Sequence, residues 1–333
     1  MSTLNIGLLG AGRIGKVHGA AIASTAGARL AAVADAFPEP ARELADSYGA
    51  QVRSIEEIMD DDSIDAVFIT TPTDMHADLI EDAARRGKKI FCEKPIDLDV
   101  SRVRQCLAVV AEHGATLMVG FNRRFDPNFK QVREQIDAGA IGDVEMVNII
   151  SRDPGPPPLS YMERSGGLFK DMTIHDFDMA RFLLGEEPVA VSAVGSVLVD
   201  PAIATVPDID SAAVTLVTAS GKIVQISNSR RATYGYDQRI EVHGSMGMVR
   251  ADNLHETTVE LASASGYQST PLMNFFLERY MPAYRAEVQL FVDVVLHGAV
   301  LTATGDDGLR SLVLAEAAAR SVVERRTVSV DEI

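Results

Sequence analysis

The sequence predicts an α/β protein in which a doubly wound parallel sheet is followed by an α+β domain with a large, mostly antiparallel, open-faced sheet. Up to residue 120, short apolar strands alternate with helices, as in βαβ crossovers that cover a parallel sheet on both faces. From Phe121 onward, segments of alternating apolar and polar residues dominate. The length of 333 residues exceeds the size at which a single core usually stops growing. We therefore predict two domains, 1–120 and 121–333.

Composition and charge narrow the class of protein. The chain is 47% hydrophobic and 23% charged, which is ordinary for a globular enzyme. Its net charge of −16 argues against nucleic acid or an anionic membrane surface as a partner, and no apolar run is long enough to span a bilayer. The N-terminus lacks the basic region and cleavage site of a signal peptide, so we expect a cytoplasmic protein. Cys92 and Cys106 have no metal-ligand spacing, so we expect reduced thiols and no metal site.

The elements of the first domain are predicted from the alternating pattern. Asp74 is expected to cap the fourth helix, because its side chain can accept a hydrogen bond from the first turn. In such a sheet, ligands bind beyond the carboxyl ends of the strands. The predicted strands are 5–9, 30–35, 65–70, 89–92 and 116–119. The predicted helices are 13–24, 38–48, 54–59, 74–86 and 99–113.

A glycine-rich turn, GAGRIG, joins the first strand to the first helix, which is the context that makes a GxGxxG match informative for a Rossmann domain. Gly10 permits the tight turn, Gly12 lets a pyrophosphate approach the backbone, and Gly15 lets the helix pack closely on the strand. The helix start, at Arg13 and Ile14, offers free N–H groups and a positive dipole end to the phosphates. The alternative is a glycine-rich turn without a ligand.

Asp35 ends the second strand and lies 20 residues after Gly15. Its carboxylate can accept hydrogen bonds from both ribose hydroxyls of a dinucleotide and would repel a 2′-phosphate. Ala36 and Phe37 follow it, where an NADP enzyme often has Ser or Arg. We therefore expect NAD as the cofactor rather than NADP.

Two further loops lie at the carboxyl ends of predicted strands, where we expect them to contact the cofactor. The first contains Thr71, Pro72 and His76, and the second contains Glu93 and Lys94. Lys94 could also hold a substrate oxygen or lower the energy of a developing alkoxide. The alternative is that Lys94 is a surface lysine on a loop.

The stretch Ser165–Gly185 carries carboxylates and an imidazole in an otherwise apolar, helix-forming sequence. If it is helical from Asp171 onward, then Asp171, His175 and Asp178 lie on one stripe. Unpaired buried charge is costly, so these groups need partners. One interpretation is an acid–base pair directed into a cleft, as general acid–base catalysis requires. The other is a core histidine held by Asp171 or Asp178.

The second domain is predicted to be an open-faced sheet. One face can carry helices, and the other is free to pair with another subunit. Val214, Leu216, Ile223 and Ile226 are expected on that free face. The predicted strands are 143–151, 189–199, 211–217, 223–230, 239–243 and 247–250. The predicted helices are 128–138, 284–297 and 305–326.

Five blocks of the sequence resemble the Gfo/Idh/MocA family of sugar and polyol oxidoreductases, and together they cover nearly the whole chain. The resemblance implies a hydride-transfer site built from a Lys, an Asp and a His, which here are Lys94, Asp171 and His175. The blocks are GAGRIG with Asp35, EKP at 93–95, GFNRRFDP at 120–127, GGLFKDMTIHDFDMARFLLG at 166–185 and DGLRSLVLAEAAARSV at 307–322.

The same resemblance implies side chains that line a polyol pocket. These are Asn122, Arg123, Asp153 and either Tyr234 or Tyr236, between which the sequence does not choose.

The activity implied by the resemblance is NAD-dependent oxidation of a cyclic polyol. The block at 166–185 is most similar to family members that act on inositol, so the expected reaction converts myo-inositol to 2-keto-myo-inositol. Other oxidoreductases of the family, which act on scyllo- or chiro-inositol, an aldose or an anhydro-sugar, are the nearest alternatives. A non-catalytic NAD-binding sensor or repressor is the alternative from another class. The family also implies a homo-oligomer, a dimer or a tetramer, formed through the open sheet face.

Overall fold

The computed structural model describes residues 3–333. The chain forms two compact units: Met1–Phe125 with Met281–Leu312, and Asp126–Tyr280 with Val313–Ile333. These units differ from the predicted domains, 1–120 and 121–333, chiefly because residues 281–312 pack with the first unit. Within the described residues, no helix is both long enough and apolar enough to cross a membrane.

The first unit contains a six-stranded sheet in the order β3-β2-β1-β4-β5-β6, with every neighbouring pair parallel. This confirms the predicted doubly wound sheet, in which the order reverses between β1 and β4. The strands are β1 (Leu4–Leu9), β2 (Ala28–Ala34), β3 (Gln51–Val52), β4 (Ala66–Ile69), β5 (Lys89–Glu93) and β6 (Leu117–Gly120). The helices are α1 (Arg13–Ser24), α2 (Pro38–Tyr48), α3 (Ile55–Asp60), α4 (His76–Arg85) and α5 (Val100–Glu112), with 3₁₀ turns at Thr73–Met75 and Asn122–Phe125.

The second unit contains a seven-stranded sheet in the order β12-β11-β7-β10-β9-β8-β15, and a separate hairpin of β13 and β14. Neighbours are antiparallel except β7 and β10, which run parallel. The strands are β7 (Val144–Arg152), β8 (Pro188–Ser196), β9 (Ser211–Thr218), β10 (Ile223–Ser229), β11 (Asp237–Gly244), β12 (Gly247–Ala251), β13 (Glu260–Ser263), β14 (Gly266–Ser269) and β15 (Val328–Ser329). The remaining helices of the chain are α6 (Pro127–Asp137), α7 (Leu159–Met162), α8 (Ile174–Leu184), α9 (Phe276–Arg279), α10 (Met281–His297) and α11 (Gly305–Glu324).

Helix α10 belongs to the first unit because its apolar face completes the aromatic core there. The rings of Phe68 and Phe91 stack with 4.5 Å between centroids, and Phe291 of α10 lies edge-on to Phe68 at 5.1 Å. Tyr284, also on α10, lies edge-on to the ring of His18 at 5.4 Å. The local apolar pattern of residues 284–297 predicts a helix but does not indicate which sheet it covers.

The predicted free face of the second sheet is wrong for three of its four residues. Val214, Leu216 and Ile226 are at most 2% exposed and lie on the face covered by helices, and only Ile223 is half-buried on the opposite face. In the antiparallel register of β9 and β10, Ile226 faces Val214, and both therefore point to the same side. The largest apolar residues of these strands form the core, as burial of apolar surface favours.

Candidate active site

The glycine turn between β1 and α1 lies beside the end of β4. Gly10 has a φ of +102°, and a Cβ there would lie 2.6 Å from the backbone oxygen of Thr70. A Cβ on Gly15 would lie 2.1 Å from the Gly10 oxygen. A Cβ on Gly12, by contrast, would meet no heavy atom within 4 Å. Packing within the chain therefore requires Gly10 and Gly15, whereas the open space at Gly12 fits the close approach of a pyrophosphate.

The start of α1 is suited to an anionic group. Gly12 is the N-cap, and the first helical hydrogen bond runs from the Lys16 N–H to the Gly12 oxygen at 3.0 Å. The N–H groups of the first turn, at Arg13 and Ile14, have no acceptor inside the helix. That turn contains no acidic side chain, so its positive dipole end is not opposed.

Asp35 directly follows β2 and is held beside the glycine turn. One carboxylate oxygen accepts a hydrogen bond from the Ala11 N–H at 2.6 Å, and the other accepts one from the Phe37 N–H at 2.8 Å. Each carboxylate oxygen has a further lone pair that can accept from a ribose hydroxyl. This placement is the one expected of the acidic residue in a dinucleotide-binding domain.

His76 joins the loop after β4 to the loop after β5. Its Nδ1 lies 2.8 Å from the Pro95 oxygen, and its Nε2 lies 2.8 Å from the Thr71 oxygen. Burial lowers the pKa of His76, while the hydrogen bonds to these two carbonyls act in the opposite direction. Thr71 is half-buried and Pro72 is exposed. Because both ring nitrogens of His76 already face backbone oxygens, the geometry favours holding the loops together over the direct cofactor contact expected from the sequence.

Lys94 follows β5 at the same edge of the parallel sheet. Its side chain is half-buried, and the peptide bond to Pro95 is cis. The preceding Glu93 is buried, and its Oε1 lies 2.6 Å from Nε2 of His18 in α1. The first unit thus gathers the glycine turn, Asp35 and both predicted loops at one sheet edge, where the strands end.

The helix predicted from Asp171 is not regular. Phe169–Thr173 forms a π-helical turn, and α8 begins directly after it. Such turns often occur at functional sites. Asp171 and His175 are half-buried, whereas Asp178 is fully buried and lies 3.8 Å from Arg181. Only the first two members of the predicted stripe are therefore accessible, and Asp178 belongs to the core.

The Asp171 carboxylate has a protein partner on each oxygen. Oδ1 accepts a hydrogen bond from the Tyr161 hydroxyl at 2.9 Å. Oδ2 accepts from both terminal nitrogens of Arg230, each at 3.3 Å. Arg230 is only 1% exposed, so the ion pair offsets the cost of burying its charge.

Asn228 of β10 fixes the start of α8 on the buried face of the sheet. Its amide oxygen accepts a hydrogen bond from the Thr173 hydroxyl at 2.8 Å, and its amide nitrogen donates to Asp176 at 2.8 Å. All three residues are buried, and satisfied buried polar networks favour one arrangement of a core. This network positions the turns that carry Asp171 and His175.

The two tyrosines left open by the sequence have different surroundings. Tyr234 is 49% exposed, and its hydroxyl donates to Asp237 at 2.6 Å and accepts from Arg152 at 3.0 Å. Tyr236 is 7% exposed, and its ring lies edge-on to two other aromatic rings. Tyr234 therefore fits a pocket-lining role better than Tyr236, which packs in the core.

The other predicted pocket residues are divided between the units. Asn122 and Arg123 lie in the 3₁₀ turn after β6, in the first unit, and both are buried. Asp153 follows β7 in the second unit; its side chain is half-buried, and its N–H donates to the Ser229 oxygen at 3.0 Å.

Sequence reasoning missed three residues of these networks: His18, Tyr161 and Arg230. Each is a single polar or charged residue without a motif around it, and the partners of His18 and Arg230 lie far away in the sequence. The one available signal was a histidine on the buried face of the first helix. Among residues 3–333, no group of three or more His, Cys, Asp or Glu residues could hold a metal ion.

Two family models match the chain. The model for an oxidoreductase family with an NAD-binding Rossmann fold matches residues 4–121, and the model for the GFO/IDH/MocA C-terminal domain matches residues 129–250. With the glycine turn and Asp35, the first match defines an NAD-binding oxidoreductase, which confirms the predicted cofactor. The chain belongs to the Gfo/Idh/MocA family.

Several of the relatives that the chain resembles are inositol dehydrogenases. The chain is 60% identical to an inositol 2-dehydrogenase of Rhizobium meliloti, covering 98% of this chain and 99% of the relative. The crystal structure of a myo-inositol dehydrogenase from Corynebacterium glutamicum matches with a TM-score of 0.95, 44% identity and 98% coverage of both chains. A scyllo-inositol dehydrogenase from Lactobacillus casei, solved with NAD(H) and scyllo-inositol, matches with a TM-score of 0.92 and 30% identity, covering 99% of this chain and all of that one.

Proposed function

We propose that this protein is an NAD-dependent dehydrogenase that oxidises myo-inositol to 2-keto-myo-inositol. The observation that carries the proposal is the full-length similarity to an inositol 2-dehydrogenase. The lower similarity to a scyllo-inositol dehydrogenase makes scyllo-inositol the second candidate substrate. A sensor without activity is disfavoured, because Lys94, Asp171 and His175, the three residues that the family resemblance assigns to hydride transfer, are all present.

Cofactor binding is assigned to the first unit. The glycine turn and the start of α1 would hold the pyrophosphate, and Asp35 would accept hydrogen bonds from the adenosine ribose. The loops at Thr71–Pro72 and Glu93–Lys94 would border the nicotinamide end. When bound, NAD⁺ supplies the acceptor for the hydride that leaves the substrate carbon.

Proton transfer and charge stabilisation are assigned to three side chains. His175 accepts the proton of the hydroxyl that becomes the ketone. Asp171 orients the imidazole and stabilises its cation. Lys94 stabilises the negative charge that develops on the substrate oxygen. Asn122, Arg123, Asp153 and Tyr234 are assigned to the hydroxyls that do not react.

The test of this function is the appearance of NADH absorbance when the purified protein is mixed with NAD⁺ and a polyol. We expect strong turnover with myo-inositol and NAD⁺. Parallel reactions replace myo-inositol with scyllo-inositol, chiro-inositol or glucose, or replace NAD⁺ with NADP⁺. A Lys94→Met variant should lose most of this turnover, while a variant of the exposed Lys130, Lys130→Met, should keep it. Turnover only with glucose would reject the substrate class. Silence with every polyol, with NAD still bound, would reject the function.

We also propose that the protein acts in the cytoplasm as a homo-oligomer, a dimer or a tetramer, through the less buried face of the seven-stranded sheet. Support comes from Thr215 and Gln225, which pair across β9 and β10 on the face opposite the core. The double variant Thr215→Arg/Gln225→Arg should lower the mass measured by sedimentation, while Asp46→Arg on exposed helix surface should not. A monomeric wild-type protein at micromolar concentration would contradict the oligomer, and activity confined to the membrane fraction would contradict the location.

A further inference from the structure

Arg230 is among the largest fully buried side chains of residues 3–333, yet it lies immediately after a strand rather than inside one. Its backbone N–H donates to the Asp210 oxygen at 2.8 Å, which fixes the start of the side chain. Its guanidinium lies near two carboxylates, Asp171 at 3.3 Å and Asp208 at 3.6 Å. A buried cation placed this way is costly unless both carboxylates remain in position.

Asp208 is the second carboxylate near the guanidinium, and it also binds the start of the π-helical turn. Its Oδ1 accepts hydrogen bonds from the Leu168 N–H at 2.7 Å and the Ile209 N–H at 2.8 Å. Leu168 is the residue at which the turn that carries Asp171 begins. The turn is therefore fixed at two points, at its start by Asp208 and at its middle by Arg230.

The hydrogen bonds from Arg230 fix the orientation of the Asp171 carboxylate. Both guanidinium nitrogens bind Oδ2, so the direction of the carboxylate is set by a fork rather than by one rotatable donor. Oδ1 then points to the Tyr161 hydroxyl, which is on a half-exposed residue. Asp171, the carboxylate that the proposed function uses to orient His175, is thus itself oriented by Arg230, which solvent does not reach.

We propose that Arg230 is a positioning residue for the dehydrogenase reaction, which fixes the direction and charge of the Asp171 carboxylate so that it can orient His175. This inference rests on the proposed function. It assigns to Arg230 an effect on turnover rather than on cofactor binding, because Arg230 lies in the second unit and the cofactor-binding elements lie in the first. The titratable or charged groups near Asp171 include Arg230, Asp208 and Tyr161, and the neighbouring Lys170 pairs with Glu316 at 2.7 Å.

The experiment compares Arg230→Met and Arg230→Lys with Arg231→Met, an exposed neighbour whose guanidinium donates to backbone carbonyls. We expect kcat to fall at least about 30-fold in R230M and to be partly restored in R230K. The NADH affinity of both variants should be unchanged, and R231M should have wild-type kinetics. Since removing a positive charge makes protonation of its neighbours easier, the acid limb of kcat/KM should move to higher pH in R230M but not in R230K.

A folded R230M enzyme with wild-type kcat and an unmoved acid limb would overturn the inference. If R230M does not fold, the double variant R230M/D208N removes the carboxylate charge that would be left without its cation. In that case the kcat of R230K decides, and a wild-type kcat would overturn the inference. Hydrogen exchange of residues 168–173, measured without substrate, separates the two proposals. Wild-type protein inactive on every polyol rejects the proposed function, whereas unchanged protection of this segment in the Arg230 variants rejects the positioning role.

Discussion

Nε2 of His18 lies 2.6 Å from Oε1 of Glu93, and both side chains are buried inside the first unit. This pair links the helix that begins at the glycine turn to the strand that leads into Lys94. The rings of Phe68, Phe91 and Tyr284 pack against His18, and within residues 3–333 the hydrogen-bond partner of its imidazole is the Glu93 carboxylate.

Replacing His18 with Leu should lower the free energy of unfolding by about 1–3 kcal/mol, because it leaves the Glu93 carboxylate buried without this donor. The double variant His18→Leu/Glu93→Leu should lose less than the sum of the two single losses. Urea denaturation of the cofactor-free protein measures all three. Additive losses would mean that the two residues do not stabilise each other.

Gly12→Ala and Gly15→Ala should impair different properties of the protein, NADH binding in the first and thermal stability in the second. A Cβ at Gly12 meets no protein atom, so Gly12→Ala should leave the melting temperature nearly unchanged but weaken NADH binding at least about tenfold. A Cβ at Gly15 meets the Gly10 oxygen at 2.1 Å, so Gly15→Ala should lower the melting temperature. Thermal melting and NADH fluorescence titration distinguish them. Unchanged NADH affinity in Gly12→Ala would place the pyrophosphate elsewhere.

Replacing Asp35 with Ser should shift the cofactor preference toward NADP⁺. The change removes the charge that opposes a 2′-phosphate and an acceptor for the ribose hydroxyls. We expect kcat/KM to fall about tenfold for NAD⁺ and to rise about tenfold for NADP⁺. Asp46→Ser, at an exposed position on α2, is the control. A loss with NAD⁺ and no gain with NADP⁺ would show that Asp35 acts only through its hydrogen bonds to the turn.

Replacing His175 with Ala should lower kcat by about 10²–10⁴-fold, the usual contribution of a positioned general base. NADH affinity should stay within a factor of about two, because the residues assigned to NAD binding belong to the first unit and His175 belongs to the second. His113→Ala, at an exposed histidine, should behave like wild type. Steady-state kinetics and NADH titration measure the two quantities. Equal losses in both would argue for a structural role of His175.

His76 should make the protein less stable in mild acid. Its pKa is lowered in the fold by burial, so the folded state favours the neutral ring. The stabilisation is complete above the unfolded value of about 6.5 and is lost as the pH falls below it, with a slope of up to about 1.4 kcal/mol per pH unit. Urea denaturation between pH 7.5 and 5 should show this slope in wild type and not in His76→Gln. The exposed His297→Gln should keep it, and an unchanged slope in His76→Gln would contradict the assignment.

The local part of the architecture could be predicted from the sequence. The strands of the parallel sheet are short apolar runs, and the glycine turn carries its own backbone requirements, so each could be located without knowing its neighbours. The prediction that Asp74 caps the fourth helix was wrong. Asp74 lies in a 3₁₀ turn, and α4 begins two residues later without a side-chain cap. The contacts of His76 with the Thr71 and Pro95 oxygens, at the first residue of α4, could not be read from the local sequence.

What could not be predicted depends on contacts between distant segments. The π turn at Asp171 is held by Arg230 and Asp208, and neither interaction is visible in the spacing of residues 171–184. The side of the sheet on which Val214 and Ile226 lie follows from register and from the helix that covers them. The residues proposed as catalytic came from the family resemblance, because a stripe of two carboxylates and a histidine is equally compatible with a core.

The return of residues 281–312 to the first unit has a consequence for biosynthesis. The parallel sheet lacks Phe291 and Tyr284 until α10 has left the ribosome, although its last strand ends at Gly120. At ordinary translation rates this interval lasts roughly 10–40 s. During that time the aromatic surface of Phe68 and Phe91 is open to chaperones and to other nascent chains. A gene fragment that stops at residue 125 would leave that surface permanently uncovered, so an isolated NAD-binding fragment should be made by splicing 281–312 onto it.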